Sequence, residues 1–135
     1  MENMKYRAVV TGATRGIGYA IAERLLKDGL EVIVTGTKKN GKHPAGATYY
    51  QVDFLDEDST NKFINFLKKQ QINVLVNNAG INKISKFSSI DIDDFDRILR
   101  VNLRAPFQIC QAVIPHMEKI KWGRIVNLTS VFGNI

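Results

Sequence analysis

Five short apolar runs, with helix-patterned or turn-rich segments between them, constrain this chain more than any other feature. Arg7-Ala-Val-Val-Thr11, Glu31-Val-Ile-Val-Thr35, Thr48-Tyr-Tyr-Gln-Val52, Ile72-Asn-Val-Leu-Val76 and Arg124-Ile-Val-Asn-Leu128 each read as a buried strand. Strands that alternate with helices and are nearly all apolar belong to sheets covered on both faces. The pattern predicts an α/β fold on a parallel sheet. A length of 135 residues suits one domain, 1–135. No fixed-period repeat, low-complexity stretch or linker divides it.

The intervening segments carry their own signals. Gly16 to Lys27 has helical spacing, with Ile17, Ile21 and Leu25 on one face and Gly29 as a stop. Gly36 to Ala47 is polar, holds Gly41, Pro44 and Gly46, and reads as a loop. Ser59 can cap a helix over about 60–70, with Phe63, Phe66, Leu67 and Gln70 facing the sheet. Asp91 to Lys119 is mostly helical, interrupted near Asn102, bent by Pro106 and Pro115, and ended by Gly123.

Composition removes several classes. Apolar residues are 44% and charged residues 24%, which excludes a disordered chain. No apolar run is long enough for a transmembrane helix, and the polar start before Arg7 does not read as a signal peptide. The single cysteine, Cys110, reads as a small core residue on a helix. With no Cys/His cluster, no metal site is expected, and the cysteine usage points to a reducing cytoplasm. The formal charge of +6 invites a nucleic-acid reading. Its distribution argues against one. Lys38, Lys39, Lys42 and Lys119, Lys121, Arg124 form small clusters, with neither a basic stripe nor an aromatic platform.

The most chemically legible segment is Thr11-Gly12-Ala13-Thr14-Arg15-Gly16-Ile17-Gly18, between the first strand and the first helix. Gly12 serves a tight turn, Gly16 lets an anion approach the backbone, and Gly18 allows the helix to pack close. The helix N-terminus then offers unpaired N–H groups and about half a positive charge to a diphosphate. The Gly-x-x-x-Gly-x-Gly spacing differs from the common dinucleotide fingerprint Gly-x-Gly-x-x-Gly.

With that spacing, the chain resembles the short-chain dehydrogenase/reductase family. Five ordered motifs carry the resemblance: Thr11–Gly18, Asp53, Asn77-Asn78-Ala79-Gly80, Asn102 and Ser130. They extend it from Arg7 to Gly133. Within the family, the Gly-Arg-Ile-Val-Asn-Leu-Thr-Ser stretch looks most like bacterial 3-oxoacyl-acyl-carrier-protein reductases. The resemblance implies a Rossmann-type doubly wound sheet with strand order 3-2-1-4-5, incomplete after the fifth strand. It implies that Gly12, Thr14, Arg15, Gly16, Ile17 and Gly18 hold a nicotinamide dinucleotide. It implies that Asp53, beside Phe54, meets the adenine amino group, and that Asn78, Ala79 and Gly80 line the ribose. Asn77 or Asn78 can also cross-link neighbouring strands, and both roles can hold together. An acid at the end of the second strand would select NAD. Here Thr37, Lys38 and Lys39 stand there, with Arg15 nearby, which suits the 2′-phosphate of NADP(H). A solvated basic loop is the alternative.

The implied reaction moves hydride between nicotinamide and a ketone or secondary alcohol, for instance a 3-oxoacyl thioester. In the family a Tyr protonates the carbonyl oxygen and a Lys four residues on lowers its pKa. A Ser polarises the carbonyl and an Asn at a helix kink holds a water; Ser130 and Asn102 match these. The Tyr/Lys pair is not in the sequence. Tyr6, Tyr19, Tyr49 and Tyr50 are followed four residues later by Val10, Glu23, Asp53 and Phe54. The chain therefore reads as the N-terminal piece of a longer reductase, inactive alone; the alternative is a short NADP-binding or regulatory module without catalysis. An acyl-carrier protein is a candidate partner, with Lys119, Lys121 and Arg124 as its docking patch or simply as cations at a helix C-terminus. Assembly of the complete protein as a dimer or tetramer is expected through residues 103–119.

Overall fold

The computed structural model describes residues 4–130; the stretch 131–135, into which the resemblance extends at Gly133, lies outside the described residues. Five parallel strands form one sheet: β1 (Arg7–Val10), β2 (Glu31–Gly36), β3 (Thr48–Gln51), β4 (Val74–Asn77) and β5 (Arg124–Asn127). Their order is β3-β2-β1-β4-β5, as the sequence implied. The chain winds outward from β1 to one edge, returns, and crosses to the other. That reversal between β1 and β4 leaves a crevice at the carboxyl ends of the strands, where open α/β sheets bind ligands.

Strand alternation divides the core into two layers. Val9, Ile33 and Leu75 face one side and pack against Phe63 and Leu67 of α2 (Glu57–Lys68) and Ile109 and Val113 of α4 (Ala105–Ile120). Ala8, Val10, Val34 and Val76 face the other side, toward Ala22 of α1 (Gly16–Lys27). The outer strands depart from the expectation that helices cover both faces throughout. On β5 only Ile125 is even half-buried, and Val126 is 50% exposed.

Several local details correct the sequence reading. Ile17 does not join the sheet-facing stripe of α1: it is 66% exposed, while Gly18 and Ala22 are buried. The N-terminal end of α1 sits too close to the sheet for anything larger than Gly18 there. Helix α2 begins earlier than expected, because Asp56, not Ser59, caps it and accepts from the Ser59 N–H at 3.0 Å. Ser59 instead accepts from the Asp53 N–H. The interruption near Asn102 is a π-helical turn, Arg100–Arg104, between α3 (Ile92–Leu99) and α4. Pro106 follows that turn in the continuous helix, and its missing N–H goes with the widened π turn before it. Lys121 (φ 54°), not Gly123, makes the left-handed stop of α4. Gly123 serves close packing: a Cβ there would lie 2.4 Å from Met117.

At the amino ends of the strands Arg7 donates to the Glu31 carboxylate at 2.6 Å across the β1–β2 pair. The hydrogen bond from Arg7, and then its charge, hold the Glu31 carboxyl below its ordinary value. A depressed folded pKa means the stabilisation is present above the unfolded carboxylate range and fades as pH falls through the folded value. Glu31→Gln is therefore expected to lower the urea midpoint at pH 7, and to converge on the unsubstituted chain once the pH has fallen through the depressed Glu31 value. An offset that persists unchanged into acid would contradict this assignment.

Candidate functional site

The glycine turn is held against the β4 terminus by a lattice of hydrogen bonds. The Thr11 hydroxyl accepts from the N–H groups of Asn78 and Ala79, both at 3.0 Å. The Asn78 amide nitrogen donates to the carbonyls of Thr11 and Gly12, both at 3.0 Å. On the other side, the Gly12 N–H donates to the Thr35 hydroxyl at 3.1 Å. Three neighbouring strand ends, β2, β1 and β4, are thereby tied to one crook of backbone. Asn77 makes the other cross-link the sequence allowed, donating to Asn127 at 2.8 Å between β4 and β5.

Two glycines make this approach possible. A Cβ at Gly12 (φ +64°) would lie 2.8 Å from the Ala79 Cα. At Gly18 it would lie 2.3 Å from the Asn78 amide nitrogen and 2.6 Å from the Gly12 carbonyl. Gly16 differs: its φ is +57°, yet nothing stands within 4 Å of where its Cβ would be. It faces open space, as a backbone that receives a ligand should. Arg15 precedes α1 in extended conformation, no side chain caps the helix, and its first turn holds no acid. The first N–H groups of the helix are thus left without a side-chain acceptor.

That end of α1 opens into a cleft of about 510 Å³. Gly12, Thr14, Arg15, Gly16, Ile17, Thr37, Asp53, Phe54, Asn78, Ala79 and Gly80 line it. Every expected cofactor residue except Gly18, Lys38 and Lys39 is in that lining. Gly18 is buried directly beneath it, and Lys38 is exposed on the adjoining loop. Asp53 is the only acid among the described lining residues. Its Oδ1 accepts from the Leu55 N–H at 2.9 Å, which fixes the carboxylate at the cleft wall. Thr35, Gly36, Val52, Leu55, Ile81 and Val101 also line the cleft and were not anticipated. For Thr35 a signal existed: a hydroxyl ending an apolar strand at the ligand-facing edge.

The two expected catalytic residues come from separate segments, Asn102 from the π turn and Ser130 from the stretch after β5. Asn102, in the π turn, donates to the Ile81 carbonyl and accepts from the Ile81 N–H, each at 2.8 Å. Its side-chain amide pairs with one residue of the cleft rim as a second backbone would. Ser130 follows β5 and is exposed. Asn78→Ala should leave two strand-end carbonyls unpaired and lower stability by about 1–3 kcal/mol in urea denaturation. A neutral result would show that the lattice does not hold the crook.

Comparison with known proteins places this geometry. The family model described as short chain dehydrogenase matches residues 6–135. The chain is similar to the 3-oxoacyl-acyl-carrier-protein reductase FabG of Aquifex aeolicus, with 38% identity over 93% of this chain and 56% of that protein. It is similar to a D-beta-hydroxybutyrate dehydrogenase of Rhizobium meliloti, with 30% identity over 96% of this chain and 55% of that protein. The solved structure of a metagenomic short-chain oxidoreductase in complex with NADP superposes with a TM-score of 0.82 at 30% identity, covering 95% of this chain and 62% of that one. The chain spans little more than half the length of the curated relatives it matches.

Proposed function

The chain belongs to the short-chain dehydrogenase family, and from that premise we propose that its cleft binds NADP(H) for reversible carbonyl reduction. The carrying observation is the uncapped N-terminus of α1 behind Gly16, an open backbone surface facing a dinucleotide-sized cleft. A diphosphate there meets N–H donors with no side chain in the way. Asp53 and Phe54 lie where an adenine would be held, and Asn78, Ala79 and Gly80 where its partner ribose would lie. When bound, the nicotinamide supplies or accepts the hydride.

The preference for NADP(H) over NAD(H) rests on charge. The second strand ends at Gly36 and Thr37 follows it, with no acid to repel a 2′-phosphate. Among the described residues Arg15 lines the cleft without an ion-pair partner, and Lys38 and Lys39 stand on the exposed loop beside it. An arginine free to fork onto a phosphate is the strong form of that recognition.

Ser130 polarises the substrate carbonyl in this reading. Asn102 shapes the rim through Ile81, and its amide keeps one N–H and one oxygen lone pair for the water that the resemblance assigns to this position. Protonation of the carbonyl needs a tyrosine activated by a lysine, and none of the four tyrosines here precedes a lysine by four residues. The chain alone therefore binds the cofactor without turning over substrate, which also suits the second reading, a binding or regulatory module. The substrate class is a small carbonyl compound, with a 3-oxoacyl thioester on acyl-carrier protein favoured by the relatives. Exposed Phe95, Leu99, Leu103 and Phe107 along α3, the π turn and α4 favour a dimer or tetramer of the complete protein. No helix among the described residues is long and apolar enough to cross a membrane; the working location proposed is the cytoplasm.

Titration of the chain with NADPH, followed by the reduced cofactor's fluorescence, should saturate, and more tightly than with NADH. Arg15→Ala should weaken NADPH about tenfold while changing NADH much less. Tighter NADH than NADPH binding would overturn the cofactor choice. Ketone reduction by the chain alone would overturn its assignment as catalytically incomplete.

A further inference from the structure

Residues 37–47 join β2 to β3 without regular structure and carry Thr37, Lys38 and Lys39. A loop of that kind would spread its cations over many positions. Here its backbone is gripped from the neighbouring strand. The Tyr49 hydroxyl donates to the Lys38 carbonyl. The Gln51 amide donates to the Thr37 carbonyl at 3.0 Å. Tyr49 and Gln51 stand two apart on β3, so both side chains leave the same face of the strand. They take consecutive carbonyls, and a trans peptide sets each N–H opposite its C=O. The clasp thus turns the Lys38 and Lys39 N–H groups away from β3.

The Tyr49 ring is itself wedged in place. A Cβ at Gly41 would lie 2.4 Å from its oxygen, and one at Gly36 would lie 2.8 Å from it. The His43 ring stacks on it with centroids 5.2 Å apart. Beyond the clasp, Lys42 lies over the Tyr19 ring, 5.6 Å from its centroid, tying the loop to α1. Burial pushes the phenol above its ordinary value, so it remains a donor through the neutral range. Neither Tyr49 nor Gln51 lines the cleft.

We infer that Tyr49 and Gln51 are positioning residues for cofactor choice: by fixing the Thr37 and Lys38 peptides, they hold the basic loop where a 2′-phosphate lies. This rests on the NADP(H) reading above and adds to it a device in the third strand. A side chain that merely stabilised the fold would affect both dinucleotides alike. The clasp acts on a loop that only the phosphorylated one needs.

The test is the dissociation constant of NADPH and of NADH for the 135-residue chain, with Tyr49→Phe and Gln51→Ala. Gln51 is exposed, so its substitution leaves the core untouched. Each variant should weaken NADPH by roughly fivefold, the scale of one lost hydrogen bond. NADH should stay within about twofold. Both variants retaining the NADPH/NADH ratio would overturn the inference, and so would an equal loss for the two cofactors. A failure of the underlying reading is distinguishable, because it is seen before any substitution: the unsubstituted chain would then bind NADPH no better than NADH.

Discussion

The Asn78 amide bonds two successive carbonyls, of Thr11 and Gly12, and the rest of the site depends on that close approach. It is possible only because Gly12 and Gly18 carry no side chain where the turn crosses the end of β4. With the turn drawn down, the first helix starts abruptly, and its N-terminal donors point into the cleft. A larger residue at Gly18 would push helix and strand apart. The donors would then no longer converge on one point, and their summed field at an anion would fall.

Charge is arranged around that constraint with economy. The helix end, Arg15 and the loop lysines are positive, and Asp53 is the one acid in the described cleft wall. Its carboxylate is locked by a backbone N–H of its own turn. The Arg7–Glu31 ion pair sits at the opposite ends of the strands and takes no part. Part of the net charge of +6 gathers at this end of the sheet, in Arg15 at the cleft and Lys38 and Lys39 on the loop beside it.

Much of this was legible in the sequence because the physics is short-ranged. Apolar runs of four or five residues place β1, β2 and β4, and the glycine spacing places the turn. What escaped depended on contacts between distant segments. Nothing local distinguishes Asp56 from Ser59 as a cap; the choice follows from Ser59 being engaged by Asp53. Ile17 fits a helical stripe by spacing, yet the closeness of α1 to the sheet turns it into the cleft. The amide of Asn102 reads as a polar helix break, and only its pairing with Ile81, 21 residues earlier, gives it a role at the rim. The Thr35 hydroxyl and the clasp from Tyr49 and Gln51 likewise need the sheet order before they acquire meaning.

Backbone amide NMR during addition of NADP tests the central claim most directly, because it locates the diphosphate by residue. The largest, saturable shifts should fall on the N–H groups of Thr14 to Gly18, with smaller ones at Asp53 and at Asn78 to Gly80. Saturable shifts that bypass the start of the first helix, or none at all at millimolar dinucleotide, would contradict it.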